Sequence, residues 1–564
     1  MIRLYRGEEA VALLQDTGFR RQWTSLYEAC PYGTCFQDVP FATTWYQVYA
    51  SQLEPIIVTG ATNAGALDGL LLLAVSKEDG SISQVGAGQA EYHAWLAKDN
   101  DPASFIEPAF DRLAEEFPNG KLQFLFLPPG APLEWTRRWR SRCDWRSLPR
   151  PLLSTAPGNE IADYLRKKKK KMRLNQLERL GELSFERIDD PAAFETALDE
   201  MTPLYDFRQG AMYGTPPFAA DALKKPFYLA MMRQPGLLHV TALRLNGRIV
   251  SAHIGPRNKS QIVLGVIVQS PFLSRHSLGR IHILFLGLQA EKEGFSAIDL
   301  TPGAGYKEEL ATHHDEVYTL TVFFNRSAAR RHRIERGLVK ASKRFVSVDW
   351  LKKMDERIRP RLRRALQSPA AGVQDLKSAT WNRKKARVYC LDLKLHPAPP
   401  APAVMRRDDL NDLLRYQPTG ATQPARREFL AKALEWLEEG RHAYTLVAGS
   451  RLALCAWLIE KGESCPLDEV RQSHPCAPNS AALVNFYIHP DDMNKELWRD
   501  SLRQMIADAA SVPETQHIYL SLSGHDHVLQ HIVEEAGFQP EATYYEINRL
   551  GNITRGREAA ATGD

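Results

Sequence analysis

Short apolar runs separated by polar residues mark the first part of the chain, and they predict strands at Glu54–Thr59, Leu70–Val75 and Leu122–Leu127. Apolar positions at helical spacing predict a helix near Ala103–Phe117. Residues 1–155 are therefore predicted to form a first mixed unit of helices and strands.

The pattern continues in a second unit, predicted at residues 156–325. Helices are predicted near Asp163–Leu180, Pro191–Tyr205 and residues 280–292. The turn signals Asn246-Gly247 and Asn258-Lys-Ser separate the predicted strands. These strands are Leu238–Leu245, Arg248–Ile254, Gln261–Val268, Ala297–Leu300 and Val317–Phe324.

Residues 326–402 are predicted to be a basic helical segment followed by a Pro-rich linker that begins near Leu395. A third α/β unit is predicted at residues 403–550, and a disordered tail at 551–564. Since strands and helices alternate along the chain, the predicted class is α/β (α+β).

The amino-acid composition indicates the class of protein and the compartment in which it is expected. Of the 564 residues, 44% are hydrophobic and 25% are charged, as is typical of a globular protein. The seven cysteines form no CxxC pair, so neither a disulfide framework nor a metal site is expected. With no secretory signal visible and no apolar run near the ~20 residues of a membrane span, a cytoplasmic location is expected.

Positive charge is concentrated in two tracts. One covers Arg166–Lys171, and residues 326–365 carry 15 Lys/Arg against 4 Asp/Glu. The second tract interleaves cations with an apolar stripe that includes Trp350. Each tract has two interpretations, a solvated or packed connecting helix or an anion-binding surface such as the inner membrane.

The segment Asp299-Leu-Thr-Pro-Gly-Ala-Gly-Tyr-Lys307 carries the clearest motif. It resembles the D-hydrophobic-x-x-G-x-x-x-Y-K pattern of CelD/FemAB-like N-acyltransferases, a branch of the GNAT superfamily with a BioF-type acetyltransferase domain. The basic helix from Tyr164, the Leu204-Tyr-Asp-Phe-Arg208 segment and Glu91-Tyr-His93 are similar to further family features, in the family's order. The resemblance implies tandem GNAT-like lobes with mixed, mostly antiparallel sheets flanked by helices, the first lobe being degenerate.

The resemblance also implies a donor site and a reaction. Ser277, Gly279 and Arg280 open a predicted helix, where backbone N–H groups could hold the pyrophosphate of an acyl-CoA or the phosphate of an acyl-carrier protein. Plain helix capping is the alternative. No metal is implied.

Catalytic candidates in the motif are Asp299, Lys307 and Tyr306. We expect Asp299 to orient or deprotonate the acceptor amine and Lys307 to neutralise an oxyanion. The alternative is that Asp299 caps the loop and Lys307 is a surface charge. The family often has an acidic residue before the Tyr-Lys pair, where this chain has Ala304 and Gly305.

The predicted substrate-binding residues are Arg208, Glu91, Tyr92, His93 and Gly303. The third unit is similar to GNAT domains in its closing half, from Ala481 onward. Its turn from Pro490 to Trp498 includes the adjacent acids Asp491 and Asp492 and has no glycine, which is poor for binding pyrophosphate. A structural or substrate-side role is therefore expected for this added domain.

The function implied is acyl transfer from an acyl thioester to an amine on a cell-envelope lipid or polysaccharide precursor. One alternative is a FemAB-like aminoacyltransferase that uses aminoacyl-tRNA and holds RNA with its cationic tracts. Another is a non-catalytic GNAT-like scaffold. No DNA partner is expected.

Overall fold

The computed structural model describes residues 1–98, 102–156, 161, 168–303, 305–345, 381–398, 400–419, 423–492, 494–524, 527–549 and 552–559. The chain divides into two compact units, Met1–Tyr205 with Phe218–Phe345, and Asp206–Pro217 with Val346–Asp564. Both combine helices with mixed, mostly antiparallel sheets, which confirms the predicted fold class. Among the helices of the described ranges, none is both long and apolar enough to cross a bilayer.

The first unit contains fourteen strands in its described residues. They are β1 Ile2–Arg6, β2 Leu53–Ala61, β3 Leu67–Ser76, β4 Ile82–Gln84, β5 Leu96–Ala97, β6 Lys121–Leu127, β7 Cys143–Ser154, β8 Leu183–Arg187, β9 Leu238–Leu245, β10 Arg248–Asn258, β11 Gln261–Val263, β12 Val266–Gln269, β13 Ala297–Asp299 and β14 His313–Phe323.

The helices from the N-terminus to the end of the first unit follow; α6 runs into the residues of the second unit. They are α1 Glu8–Gln15, α2 Thr17–Ala29, α3 Val39–Val48, α4 Pro102–Glu116, α5 Lys168–Glu178, α6 Pro191–Tyr213, α7 Pro217–Ala220, α8 Lys224–Met232, α9 Leu278–Lys292 and α10 Arg326–Phe345.

Two sheets organise the first unit. One has the order β1-β2-β3-β4 with β5 beside β3, and the other β6-β14-β7-β13-β11-β10-β9-β8 with β12 beside β10. Strands β6 and β7 precede the boundary predicted at residue 155, yet they pair with β14, and β7 also pairs with β13. Periodicity locates a strand but not its neighbours, and long-range pairing joins the two predicted lobes in one sheet.

The strand predicted at Gln261–Val268 is interrupted. Strand β11 runs parallel to β13, whereas β12 pairs antiparallel with β10. Two glycines allow this break, because a Cβ on Gly265 would lie 2.6 Å from the Ile254 carbonyl oxygen and one on Gly255 would lie 2.0 Å from that of Val263. The break therefore falls beside Asp299, the last residue of β13, whose carbonyl accepts a hydrogen bond from the Leu264 amide at 2.8 Å.

The second unit is built on an eight-stranded sheet of order β16-β17-β18-β21-β22-β15-β23-β24, with a separate β19-β20 pair. Its strands are β15 Trp381–Asp392, β16 Arg406–Arg407, β17 His442–Ala448, β18 Arg451–Ile459, β19 Ser464–Leu467, β20 Gln472–Pro475, β21 Ser480–Ile488, β22 His517–Ser523, β23 Gln539–Arg549 and β24 Asn552–Ala559. Its helices are α11 Leu410–Leu413, α12 Arg426–Glu438, α13 Lys495–Ser511 and α14 His527–Glu535.

Two strands lie in segments that the sequence predicted to be helix and linker or a disordered tail. Strand β15 falls within the predicted basic and linker segment, and β24 falls within the tail predicted to be disordered. Strand β24 is mostly polar and is held by its ladder to β23, so it has little apolar periodicity to reveal it. Of the predicted basic tracts, residues 166–167 and 346–365 lie outside the described residues, as does Ala304.

Candidate active site

The candidate site is centred on the buried carboxylate of Asp299. The Tyr92 hydroxyl donates to Oδ2 at 2.6 Å, and Arg150 Nη1 donates to the same oxygen at 3.1 Å. The Thr301 amide donates to Oδ1 at 2.9 Å. Three donors thus hold the side chain in one orientation, which leaves Asp299 little freedom to move toward a substrate.

Arg150 links two carboxylates across the sheet. Its Nε and Nη2 donate to the two oxygens of Asp315 at 2.7 and 2.5 Å, while Nη1 holds Asp299. Strand β7 lies between β13 and β14, and Arg150 stands directly opposite Asp315 in the register. Burial alone would lower the pKa of Arg150, but the hydrogen bond to Asp315 and the charge of Asp299 raise it. The guanidinium therefore stays charged.

Burial raises the pKa of Asp299, and this effect is opposed by the charge of Arg150 and by the hydrogen bonds from Tyr92 and Thr301. Burial and the neighbouring Asp299 charge raise the pKa of the Tyr92 phenol, which remains a neutral donor. The group is an ion pair with an added phenol donor, and it forms a fixed scaffold at the end of β13.

Lys307 is tied to the turn that follows Asp299. Its Nζ donates to the Thr301 hydroxyl at 2.8 Å and to the Thr301 carbonyl at 3.2 Å. Thr301 has a left-handed φ of 58°, and Gly303 follows with φ 151°, so the loop folds back over the ammonium. Burial lowers the pKa of Lys307, while the charges of Glu91 and Asp299 oppose that shift.

Glu91 differs from Asp299 in that no described residue donates a hydrogen bond to its carboxylate. Burial raises the pKa of Glu91; the charges of Lys307 and Lys224 oppose the shift and that of Asp299 adds to it. Glu91 lines a cavity of about 80 Å³ together with Lys224 and Tyr228. A carboxylate with a raised pKa beside two ammonium groups can accept a proton from a bound amine.

Lys224, at the start of α8, was not predicted from the sequence. Its Nζ donates to Gln89 Oε1 at 2.5 Å and lies 5.5 and 5.4 Å from the ring centres of Phe218 and Tyr228. Arg150 was missed as well, although an arginine between two prolines in an apolar strand is a visible signal.

His93 and Arg208 were predicted to bind substrate and Tyr306 to be catalytic. In the structure, the side chains of all three make contacts elsewhere. Both ring nitrogens of His93 are engaged, one with the Ala87 carbonyl at 3.1 Å and one with the Leu125 amide at 3.1 Å, and burial lowers its pKa to about 4. Tyr306 packs against the apolar core around α9 and β13. Arg208 belongs to the second compact unit, where it pairs with Glu438 at 3.3 Å.

The predicted donor residues open helix α9. Ser277 is its N-cap in the left-handed region, and its hydroxyl accepts a hydrogen bond from Arg173 at 2.6 Å. A Cβ on Gly279 would lie 2.1 Å from Gln269 Nε2, so glycine is needed for close packing there. Arg280 pairs with Glu309 at 2.6 Å. Within the described residues, no group of three or more His, Cys, Asp or Glu could hold a metal ion.

Comparison with known proteins identifies one domain. Residues 166–309 match the family model described as an acetyltransferase (GNAT) domain. This match confirms the predicted GNAT resemblance of the segment that ends in the Asp299–Lys307 motif. No curated protein matches the chain.

Several solved structures are similar to parts of the chain. L-PGS from Bacillus licheniformis has 10% identity and a TM-score of 0.35, over 55% of this chain and 92% of that one. FemX has 9% identity and a TM-score of 0.37, over 53% and 95%. A GCN5-related N-acetyltransferase from Sphaerobacter thermophilus has 10% identity and a TM-score of 0.29, over 57% and 96%. Likeness at this level does not bear on donor or acceptor.

Proposed function

The chain contains a GNAT acetyltransferase domain, and on that premise we propose an N-acyltransferase that acts on an amine of a cell-envelope lipid or polysaccharide precursor, with an acyl thioester as donor. The observation that carries the proposal is the position of Glu91. Its carboxylate has no hydrogen-bond donor among the described residues, and it borders a small cavity beside Lys224 and within electrostatic reach of Lys307.

Glu91 is the proposed general base. It takes a proton from the acceptor amine, whose nitrogen then attacks the thioester carbonyl carbon. A C–N bond forms, the C–S bond breaks, and the thiolate leaves and takes up a proton. Glu91 releases its proton to solvent at the end of the cycle.

Lys307 is proposed to stabilise the oxyanion of the tetrahedral intermediate. Two of its three N–H donors are used by Thr301, which leaves one for a substrate oxygen. Asp299, Tyr92 and Arg150 act as positioning residues, since their polar groups are hydrogen-bonded to one another. This changes the role predicted for Asp299 from contact with the acceptor to support of the loop that carries Lys307.

The thioester donor is proposed to lie at the start of α9. The first N–H groups of a helix have no intrahelical acceptor, and they favour a phosphate. Arg173 adds a cation at this end, 2.6 Å from the Ser277 hydroxyl. Both acyl-CoA and acyl-carrier protein present a phosphate group that fits such a position.

Peripheral attachment to an anionic membrane is proposed for α10, which places Arg330, Arg331 and Ile334 on its exposed surface. Each cation close to an anionic bilayer contributes about 1 kcal/mol. Cosedimentation with vesicles of phosphatidylglycerol and phosphatidylcholine, compared with phosphatidylcholine alone, tests this. Charge reversal of Arg330 and Arg331 is expected to abolish selective binding, and equal binding to both vesicles contradicts it.

The decisive experiment for the reaction uses the purified full-length chain. Mass spectrometry of what copurifies is expected to find an acyl thioester, and incubation with palmitoyl-CoA or palmitoyl-carrier protein plus extracted envelope amines is expected to give a new amide. Amide formation only with aminoacyl-tRNA overturns the donor assignment and favours the FemAB-like alternative. Absence of any amide product with either class of donor overturns the enzyme proposal and favours a scaffold.

A further inference from the structure

Helix α5 lies beside the start of α9, where the phosphate of the donor is proposed to bind. Arg173 of α5 donates to the Ser277 hydroxyl at 2.6 Å. Leu177 of α5 is fully buried, in an apolar cluster that includes Leu278 of α9. These contacts hold one face of α5 on the donor helix, so the opposite face of α5 is turned to solvent next to the proposed donor position.

The solvent-exposed part of α5 combines positive charge with apolar side chains. The helix contains five cations, Lys168–Lys171 and Arg173, and a single acid, Glu178. Met172 is 53% exposed, and Leu180, in the turn that follows the helix, is 45% exposed. Such a surface suits a partner that supplies negative charge and also buries apolar side chains.

Two exposed arginines extend this surface. The Arg179 amide donates to the Asn175 carbonyl, so the helical turn continues past the end of α5. Arg179 therefore lies on the same side as Met172, seven residues or two turns earlier, and Glu178 lies off that side. Arg275 lies two residues before the start of α9. Within the described part of the chain, neither arginine has an acidic partner.

The second basic helix, α10, lies elsewhere in the first unit. It follows β14, whose Val322 pairs with Cys143 of β7, whereas Asp299 pairs with Leu152 of the same strand. Positions 143 and 152 of β7 are nine residues apart, which is about 30 Å along a strand. Of the two basic helices, α5 is therefore the one that adjoins the proposed donor position.

The two thioester donors differ in what adjoins their phosphate. In acyl-CoA the pyrophosphate leads to a nucleotide, whereas in an acyl-carrier protein the phosphate is bonded directly to a serine of the protein. A carrier protein whose phosphate lies at the start of α9 must rest on α5. A nucleotide needs cations but not the exposed side chains of Met172 and Leu180, and the eleven residues of α5 spread their charge over about 16 Å. An anionic membrane would also suit this charge, but it gives no reason for a position beside the donor phosphate.

We propose that α5 is the docking surface for an acyl-carrier protein, an inference that rests on the acyl transfer proposed above. The cations of α5 with Arg179 and Arg275 face acidic residues of the carrier protein, and Met172 and Leu180 contact its apolar residues. The phosphate of its arm lies at the start of α9 beside Arg173, and the thioester extends from there toward the acceptor. The donor is thereby a carrier protein rather than coenzyme A.

Biolayer interferometry with the full-length chain tests the docking without turnover. The probe is a purified type II acyl-carrier protein that carries a palmitoyl chain on its phosphopantetheine arm. Micromolar affinity is expected, and it should fall about ten-fold when salt is raised from about 50 to 300 mM, because exposed charges are screened. No carrier-protein binding at about 100 µM overturns the proposal. So does binding of α5 to phosphatidylglycerol vesicles or to tRNA in place of the carrier protein.

Variants locate the docking surface. Met172→Glu and Arg179→Glu are each expected to weaken carrier-protein binding about ten-fold, because each places a negative charge against an acidic surface. Arg179→Lys keeps the charge and is expected to stay within about two-fold of wild type. Arg140→Glu is the matched control, since Arg140 is exposed near the Cys143 end of β7, and it is expected to leave affinity unchanged. An equal loss in Arg140→Glu and Arg179→Glu shows general charge attraction and overturns the proposal.

Amide formation separates the docking from the reaction. With palmitoyl-carrier protein as donor, Arg179→Glu is expected to raise KM about ten-fold and leave kcat unchanged, whereas with palmitoyl-CoA it changes neither. Amide from palmitoyl-CoA together with no carrier-protein binding overturns the docking and leaves the acyl transfer standing. Carrier-protein binding that depends on Arg179, together with no amide from any donor, overturns the reaction and leaves the docking standing.

Discussion

The Tyr92 hydroxyl donates a 2.6 Å hydrogen bond to the buried carboxylate of Asp299 from 207 positions earlier in the chain. This bond joins a residue of the first predicted lobe to the strand end of the second. Tyr92→Phe removes the donor and keeps the ring, so the free energy of unfolding is expected to fall by about 1–2 kcal/mol. Amide formation is expected to slow about ten-fold as Asp299 and its loop lose a support.

Tyr46→Phe is the matched control for this change. Its hydroxyl also makes a buried bond, 2.8 Å to the Leu73 carbonyl, but it lies in the core of the first sheet. Urea unfolding is expected to show a similar loss of stability for both variants, and kinetics a defect only for Tyr92→Phe. Equal rates for the two variants contradict a positioning role for Tyr92.

Arg150 neutralises two carboxylates, and its removal leaves the buried charge of Asp299 without a counterion. Arg150→Met is therefore expected to lower the free energy of unfolding by about 3–5 kcal/mol. Arg150→Met combined with Asp299→Asn is expected to recover a large part of this loss, because no buried charge remains. Urea unfolding of the four proteins in the cycle measures the coupling between Arg150 and Asp299.

Arg138 provides the exposed counterpart, since it also bridges two carboxylates, those of Glu107 and Asp111. Its side chain is 61% exposed, and Arg138→Met is expected to leave the free energy of unfolding nearly unchanged. Equal losses for Arg138→Met and Arg150→Met contradict the view that burial determines the importance of the Arg150 pair.

Asp299 and Lys307, at and after the end of β13, could be predicted from the sequence for a physical reason. A strand that ends in Asp299 and enters a Gly-rich loop is a local pattern, and Lys307 follows in the same loop. Glu91 and Tyr92 were also predicted, from their resemblance to a feature of the family's first lobe. The contact of Tyr92 with Asp299 depends on tertiary structure, which the resemblance to a family implied and periodicity alone does not.

The roles of Arg150 and Lys224 could not be predicted from the sequence, for the same reason. Arg150 becomes functional only because β7 is inserted between β13 and β14, a pairing between segments about 150 positions apart. Lys224 lies on α8, where its neighbours in the chain do not indicate Gln89 as a partner. The orientation of Arg208 toward Glu438 likewise follows from tertiary packing, which overrides a motif read along one helix.

Glu91→Gln tests the proposed base directly. The amide keeps the shape of the side chain but cannot take a proton, so kcat is expected to fall by about 10²–10⁴-fold with little change in KM. Because burial raises the pKa of Glu91, the acid limb of the wild-type rate profile is expected above the usual glutamate pKa of about 4.3. The rate should rise with pH through that limb, since the base acts when ionised.

Steady-state kinetics from pH 4.5 to 9 measures both effects, with Glu178→Gln, an exposed glutamate of α5, as the control. Loss of the acid limb in the residual activity of Glu91→Gln supports the assignment. An unchanged limb and an unchanged kcat would falsify it.

Three histidines buried between β9, β10 and α9 make the first unit sensitive to acid. His239 and His253 lie with ring centres 6.3 Å apart, and His282 Nε2 lies 2.9 Å from the Thr241 hydroxyl. Burial is the largest cause that lowers their pKa values, to about 2 for His239, about 4 for His253 and about 3 for His282. The nearby cation Arg187 lowers those of His239 and His253 further.

The direction of the pH effect follows from these lowered values. The unfolded chain takes up protons near pH 6.5, whereas the folded chain resists them until far lower pH. Stability is therefore complete above about pH 6.5 and falls as the pH drops, by about 1.4 kcal/mol per pH unit for each buried histidine. Urea unfolding from pH 7.5 to 4.5, with hydrogen exchange of β9 and β10 peptides as the local readout, measures how the free energy of unfolding depends on pH.

His282→Gln is expected to reduce this pH dependence by about the contribution of one histidine. His531→Gln is the control, since the His531 side chain is 73% exposed in the second unit, and it is expected to leave the pH dependence unchanged. A slope that His282→Gln does not alter shows that other groups govern the acid sensitivity of this sheet.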